Sequence, residues 1–543
     1  MLFTSYEFFL LLGLLFLFYY GLPRLTRGKL PCLQWVILLV FGYLFYLYSG
    51  VQYLFFILFT TLSSYLVARL IERHAEKEDT WLKKEGDILS KEERKVYKAK
   101  GKKARRRILT IGLVLNFGML AVLKYTAFLV VNLNGLLHTF GAERALTVPS
   151  LLLPMGISFY TFQTMGYLID VYRRKTNAEK NVAKLMLFVS FFPQLVQGPI
   201  SRHADLAHQL YEYHPFSAEN FYKGFQRVLW GYCKKLIVAD RVMIAIKTLI
   251  GSSQDYSGSY VFLLVILYSI QIYADFTGGI DITIGVAEML GIRLRENFRR
   301  PFASRSTEEY WKRWHITMGT WFQDYIFYPL AVSEGMLRLT KWSRGRFGRF
   351  GKGISRRLSV YFCTAVTWFL TGLWHGAGWN FIVWGMLNCA VLLISQELKP
   401  LYERFHKCFP RLTASRPYGV FMAVRTFLLM GFIRVFDCYR DVPLTFRMIG
   451  SIFTRWNLPA LLSGGILDLG LSIFDLTVIG TGIAVMYTVS KLGEDAMGTT
   501  LRDKLWSRPA LSASLCGLML LAIVLFGTYG PGYDASQFIY NQF

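Results

Sequence analysis

The sequence predicts an all-α polytopic membrane protein, and three observations carry that prediction. Hydrophobic residues make up 53% of the 543 positions and aromatic residues 16%, with a mean hydropathy of +0.34, values that soluble domains seldom reach. Apolar runs near 20 residues recur along the chain, the length needed to cross a hydrocarbon core about 30 Å thick. The basic residues behind the net charge of +26 cluster between those runs, as in proteins whose cytoplasmic loops are positive. Topology therefore accounts for the charge. It argues against nucleic acid as a partner and for membrane lipids around the chain.

The spans follow in order, with the parity of crossings as a check. Residues 5–22 have no basic residue before them and no small-residue cleavage site. Arg24, Arg27 and Lys29 follow. This predicts an uncleaved first span with its N-terminus outside, not a signal peptide. Residues 32–49 go out and 51–70 return. The next segment, 72–107, holds 14 Lys/Arg against 8 Asp/Glu and is expected to be a basic cytoplasmic loop. Residues 108–140 exceed one perpendicular crossing and predict a tilted span, or one broken near 132–135. Residues 151–171 return to a basic flank. Residues 185–199 contain two prolines and two glutamines and predict a broken or shallow segment. Residues 225–250 are amphipathic and interrupted by Lys234, Lys235, Asp240 and Arg241, a pattern that fits an interfacial helix at least as well as a span. Residues 260–275 read as a span that Gly278 and Gly279 interrupt.

Residues 355–396 are apolar for about 40 residues, roughly 60 Å as a single helix. The segment must turn, and Gly376-Ala377-Gly378 is its hinge. Both flanks are basic: residues 338–357 hold eight Lys/Arg and no acid. The hairpin therefore enters and leaves on the cytoplasmic side. Spans near 425–436, 471–489 and 511–529 complete the count and leave residues 531–543 outside. One membrane domain covers 1–543, with no internal repeat.

Seven scattered cysteines (32, 233, 363, 389, 408, 438 and 516) form no C-x-x-C pair and read as free thiols. Two of the eight histidines stand among tryptophans in apolar sequence: His315 in E-Y-W-K-R-W-H-I-T-M (309–318) and His375 in T-G-L-W-H-G-A-G-W-N-F (371–381). An imidazole is the cheapest ionisable group to place in a membrane, and low dielectric keeps it neutral and basic. The glycines beside His375 admit a substrate, and Asn380 is placed to orient an imidazole or a bound carbonyl. Ser306 to Glu309 forms a capping box. From it Trp311, Trp314, Met318, Trp321 and Phe322 recur at helical spacing, which predicts one helix carrying His315. Trp311, Trp314, Trp374 and Asn380 are the candidates for substrate binding. Neither histidine has a cysteine or carboxylate at metal-ligand spacing, so no metal is expected. Histidine-based group transfer is the chemistry these blocks favour. The alternative for each is a hydrogen-bonded core histidine.

At these residues the sequence resembles the membrane-bound O-acyltransferase family, in its bacterial alginate O-acetyltransferase-like branch. The resemblance rests on L-P-M-G-I-S-F-Y-T-F-Q (153–163), F-F-P-Q-L-V-Q-G-P-I (191–200), K-K-L-I-V-A-D-R (234–241), D-F-T-G-G-I-D-I-T-I-G (275–285) and E-N-F-R-R-P-F (296–302), together with the two histidine blocks. It implies a ring of roughly 11 or more transmembrane and re-entrant helices around a central tunnel. It implies His375 as the principal catalytic residue and His315 as the second. It also implies an acyl donor that is a cytoplasmic thioester, acetyl-CoA or a carrier-protein thioester, with no bound cofactor. The acyl group, acetyl in the first instance, passes across the bacterial cell membrane to an envelope or secreted polysaccharide, with an extracytoplasmic SGNH-hydrolase-like partner. Two runs depart from the branch, D-F-T-G-G at 275–279 and F-I-R-V-F-D at 432–437. Neither is expected to touch the histidines.

The tail S-Q-F-I-Y-N-Q-F (536–543) is similar to a short ending in this branch, and in a small companion of teichoic-acid D-alanylation, whose tyrosine relays the acyl group. Tyr540 is the matching residue; an aromatic interface anchor is the alternative. D-alanyl transfer to teichoic acid, transport of a glycan precursor along Asp275, Asp281 and Glu288, and scaffolding of an envelope complex stand as competing functions.

Overall fold

The computed structural model describes residues 3–25, 33–85, 88–141, 145–346, 351–493 and 501–530. Among them regular structure is helical, with one isolated β-bridge. Among the described residues eight helices are long and apolar enough to cross a membrane, and the shorter apolar helices Leu33–Leu47 and Val442–Thr454 accompany them. The chain is a multi-pass membrane protein. It divides into two compact units, Met1–Gly224 with Val286–Arg295, and Phe225–Gly285 with Glu296–Phe543.

In the first unit the polar stretch 72–107 is not a loop. Helix Leu54–Glu85 runs through it on one side and helix Lys91–Thr139 on the other. Lysine, arginine and glutamate are good helix formers, and the arms hold each other. Glu78 pairs with the buried guanidinium of Arg105, and Trp81 stacks on Tyr97 with centroids 3.9 Å apart. Ser90 and Glu93 form a capping box at the second arm's start. That 49-residue helix is about 74 Å long, more than twice the hydrocarbon thickness. It does not break at 132–135, where the Asn132 amide donates to its own helix at the Phe128 carbonyl, 2.7 Å. Residues 185–199 are broken as expected, into Val182–Ser190 and Phe192–Leu195. Gln194 and Gln197 are buried there, so the segment is interior to the protein.

In the second unit the interfacial expectation for 225–250 is corrected. Helix Ala218–Tyr232, a π-helical stretch Cys233–Ala239 and helix Asp240–Gly251 form a continuous run. Its Lys234, Lys235 and Asp240 are buried. An exposed amphipathic helix would leave those charges in water. Here Lys235 reaches Asp240 at 2.7 Å and Asp275 at 2.6 Å. Lys234 and Arg227 both hold Asp281. The π-helical stretch sends two consecutive lysines to carboxylates six residues apart on one neighbouring helix.

That neighbour, Ser259–Met289, is a single 31-residue helix, so Gly278 and Gly279 do not break it. A Cβ on Gly231 would lie 2.6 Å from the Gly278 carbonyl oxygen, and a Cβ on Gly278 would lie 2.9 Å from that of Gly231. The glycines let two backbones touch. The expected hinge at 376–378 is present, between helices Gly351–His375 and Trp379–Glu397.

Candidate active site

His375 closes the Gly351–His375 helix, and the hairpin beneath it is packed backbone to backbone. A Cβ on Gly372 would meet the Phe381 carbonyl oxygen at 2.4 Å, and one on Gly385 the Trp368 carbonyl oxygen at 2.5 Å. A Cβ on Gly376 would fall 2.1 Å from a Phe381 ring carbon. The partly buried His375 imidazole is flanked by two indoles, Trp384 at 4.6 Å between centroids and Trp374 at 5.0 Å, both edge to face.

His315 is reached differently. The predicted helix through 306–322 is two short helices, Thr307–Arg313 and Ile316–Phe322. His315 stands between them at φ +46°, a left-handed conformation costing about 1–2 kcal/mol for a side-chain-bearing residue. The cause lies upstream. Residues 297–299 pair with 313–316 in antiparallel fashion, through Arg299 N–H to Arg313 C=O at 2.9 Å, Ile316 N–H to Asn297 C=O at 3.0 Å, and the Phe298–Trp314 bridge. The Ser306 cap accepts from Glu309 N–H as expected, while the Glu309 carboxylate accepts from Arg305 N–H instead of Ser306.

The His315 side chain is 1% exposed. Its Nδ1 lies 3.2 Å from Asn297 Nδ2, and the Phe276 ring packs edge-on at 4.9 Å. Loss of hydration pulls the imidazole pKa down to about 3, so it is neutral at working pH.

One indole joins the two histidines. Trp374 contacts His315 at 5.9 Å and His375 at 5.0 Å, giving a ring series His315–Trp374–His375–Trp384. Trp311 and Trp368 pack on Trp384 at 5.9 and 6.1 Å. The sequence blocks 371–381 and 309–318 are thus brought together through Trp374. Trp314 faces elsewhere. It stacks on Tyr310 and lies under the buried Arg434 guanidinium, 4.3 Å from its centroid, and Arg434 also binds the Tyr310 hydroxyl. The Asn380 amide donates to the Phe436 carbonyl at 3.3 Å, which ties the hairpin to helix Arg416–Tyr439. Tyr540 lies outside the described residues.

Both departing runs border this site. The 275–279 run supplies Phe276, which touches His315, so the expectation that neither run reaches the histidines is corrected there. The 432–437 run supplies Arg434, one residue removed from His315 through Trp314. Asn297, Phe276, Trp368, Trp384 and Arg434 were not predicted as site residues. Each reaches the site from a distant element, and no local spacing marks them. Among the described residues no group of three or more His, Cys, Asp and Glu side chains is placed to hold a metal ion.

Residues 180–341, which include His315 and Asn297, match the model of MBOAT, the membrane-bound O-acyltransferase family. That match covers residues 180–341 of a 543-residue chain. The chain is 35% identical over 294 residues to "Probable alginate O-acetylase AlgI" of Azotobacter vinelandii, 54% of each chain. It is 27% identical over 351 residues to the peptidoglycan O-acetyltransferase of Helicobacter pylori, 59% of this chain and 61% of the relative. It is 25% identical over 279 residues to the teichoic acid D-alanyltransferase of Bacillus subtilis, 50% of this chain and 65% of the relative. The matches span little more than half to two thirds of those relatives' lengths.

Proposed function

We propose that the protein is a membrane O-acyltransferase that moves an acyl group, acetyl in the first instance, from a cytoplasmic thioester across the bacterial inner or plasma membrane. The group then O-acylates a cell-envelope or secreted polysaccharide. The observation that carries this reading is the ring series that joins the two W-H histidines through Trp374. Two imidazoles in aromatic walls can accept and donate protons and hydrogen bonds. Two of the transport alternative's three candidates, Asp275 and Asp281, are neutralised by Lys235, Arg227 and Lys234.

In this reading His375 is the base. It takes the proton of the acceptor hydroxyl as that oxygen adds to the thioester carbonyl. The C–S bond then breaks, and the leaving thiolate takes that proton from the His375 imidazolium. The first acceptor is the Tyr540 phenol, a poor nucleophile at its usual pKa of about 10 until a base assists it. The tail 531–543 and the N-terminus lie outside the cytoplasm, within reach of an extracytoplasmic SGNH-hydrolase-like partner that takes the group on to the polymer. The donor is acetyl-CoA or a carrier-protein thioester, reached from the basic side through a tunnel in a ring of helices.

The test uses purified protein in lipid nanodiscs, supplied with acetyl-CoA and separately with acetyl- and D-alanyl-carrier thioesters. Thiol release and acylation of the protein are followed. His375→Ala is expected to slow transfer by about 10²–10⁴ while remaining folded. Transfer at the normal rate by folded His375→Ala would remove the histidine from the chemistry. Tyr540→Phe is expected to abolish polymer acylation in cells with donor binding intact. Normal polymer acylation would make the tail an anchor. Transfer from the D-alanyl thioester alone would move the function to D-alanylation.

A further inference from the structure

We infer that Asn297 is a positioning residue that fixes the His315 imidazole as the Nε2–H tautomer, and thereby makes His315 a hydrogen-bond donor and not a base in the transfer step. The inference rests on the reading of the site as an acyl-transfer centre and gives its two histidines different tasks.

The amide orientation of Asn297 is determined by Thr317. Its Oδ1 accepts from the Thr317 N–H at 3.0 Å and from the Thr317 hydroxyl at 3.0 Å. Turning the amide over would set its NH₂ against that backbone N–H, donor against donor. The oxygen therefore stays on the Thr317 side. His315 Nδ1 lies 3.2 Å from Asn297 Nδ2 and 3.3 Å from Oδ1. A proton on Nδ1 would be a third hydrogen on an oxygen that already receives two, and it would oppose the amide protons of Nδ2. With Nδ1 bare, Nδ2 donates to it, and the Asn297 amide and the Thr317 donors are matched. The neutral imidazole then carries its proton on Nε2. Both side chains are buried, Asn297 at 0%, so water does not compete for these bonds.

The segment holding Asn297 is itself clamped. Both terminal nitrogens of Arg227 reach the Glu296 carboxylate at 2.6 Å, and its Nε reaches Asp281 at 2.8 Å. Lys234 binds the other oxygen of Asp281. A bidentate guanidinium–carboxylate pair fixes direction as well as distance. Glu296 is thereby held beside Asn297, whose C=O also receives Ile316 N–H. The runs 234–241, 275–285 and 296–302, which contribute no acid–base group to the transfer, converge on the orientation of one imidazole.

In the transfer step an Nε2–H donor stabilises the thioester carbonyl oxygen while negative charge builds on it, and the proton stays on His315 throughout. The base is then His375. Removal of one such donor typically slows an acyl transfer by about 10²–10³.

The test is the ¹⁵N spectrum of protein labelled at histidine, with His315 assigned by the signals lost in His315→Gln. An unprotonated, hydrogen-bonded Nδ1 and a protonated Nε2 are expected. Asn297→Asp places an acceptor where Nδ2 was. It is expected to draw a proton onto Nδ1 and to lower kcat by about 10² with the donor KM nearly unchanged. A protonated Nδ1 in the unaltered protein would overturn the assignment. So would Asn297→Asp that transfers at the normal rate with an unchanged spectrum. If Asn297→Asp does not fold, the spectrum of the unaltered protein decides alone. The expected spectrum in a protein that transfers from no thioester would defeat the acyl-transfer reading and leave the tautomer assignment standing.

Discussion

The Trp374 indole stands edge-on to the His315 imidazole, with ring centroids 5.9 Å apart and planes at 68°. The same indole flanks His375, so one side chain holds the spacing of both. Trp374→Ala removes that spacer and is expected to cost about 3–5 kcal/mol of stability. Displacement of a reacting group by about 1 Å is worth some 10² in rate, so transfer should fall by at least that much. Trp374→Phe should retain a larger share of activity. Thiol release and thermal unfolding in detergent read the two effects separately; equal rates for Ala and Phe would count against the spacer role.

Gly376 is expected to tolerate no side chain. Its Cβ would overlap the Phe381 ring, and relief must come from the ring or from the turn that carries His375. Gly376→Ala should lower transfer by about 10². Adding Phe381→Leu should restore much of the loss, because it removes the colliding atoms. A double variant no better than the single one would show that the clash is not what limits activity.

Lys235 holds Asp240 and Asp275 where all three side chains are buried. Lys235→Met takes away their shared cation. Breaking a buried pair from one side costs about 3–5 kcal/mol. The amount of folded protein recovered from membranes should drop sharply. Replacing both carboxylates by asparagine in the same chain should recover most of it.

Acid should destabilise the protein through two buried histidines outside the membrane-crossing helices. Burial lowers His315 to about 3 and His203 to about 4; His203 lies between the Tyr167 and Phe188 rings. An unfolded histidine titrates near 6.5. Between that pH and the folded values the unfolded chain binds the extra protons, so stability falls as pH falls. It is complete above about 6.5. The melting temperature in detergent should decline from pH 6.5 to pH 4, less steeply in His315→Gln and in His203→Gln. An unchanged slope in both would refute the assignment.

The hinge at 376–378 was legible because three small residues punctuate some 40 apolar ones. The break at Trp314–His315 was not. Trp311, Trp314, Met318 and Trp321 keep helical spacing straight through it, and the cause is a backbone pairing with 297–299 that no local pattern records. Polarity made 72–107 look like a loop, although its composition favours helix and Glu78–Arg105 pins its arms together. Gly278 reads as a breaker in isolation. In the fold it is a contact surface, because Gly231 arrives opposite it. Both histidines and Trp374 were visible as motif residues. Asn297 and Arg434 stand in quoted runs too, but their roles were not legible, because their meaning depends on which imidazole or indole they face.

The hairpin formed by Leu54–Glu85 and Lys91–Thr139 has a consequence for how this protein can change in length. An α-helix turns 100° per residue, so one residue inserted between Arg105 and Tyr97 would swing Tyr97 away from Trp81 and break the register with Glu78. Seven residues, close to two full turns, would restore the facing directions to within about 20°. The opposite arm must lengthen by the same amount for the pairs to meet again. This hairpin therefore grows or shrinks only by matched insertions close to whole numbers of turns, such as about 7 or about 11 residues, a fixed set of lengths and not a continuous one.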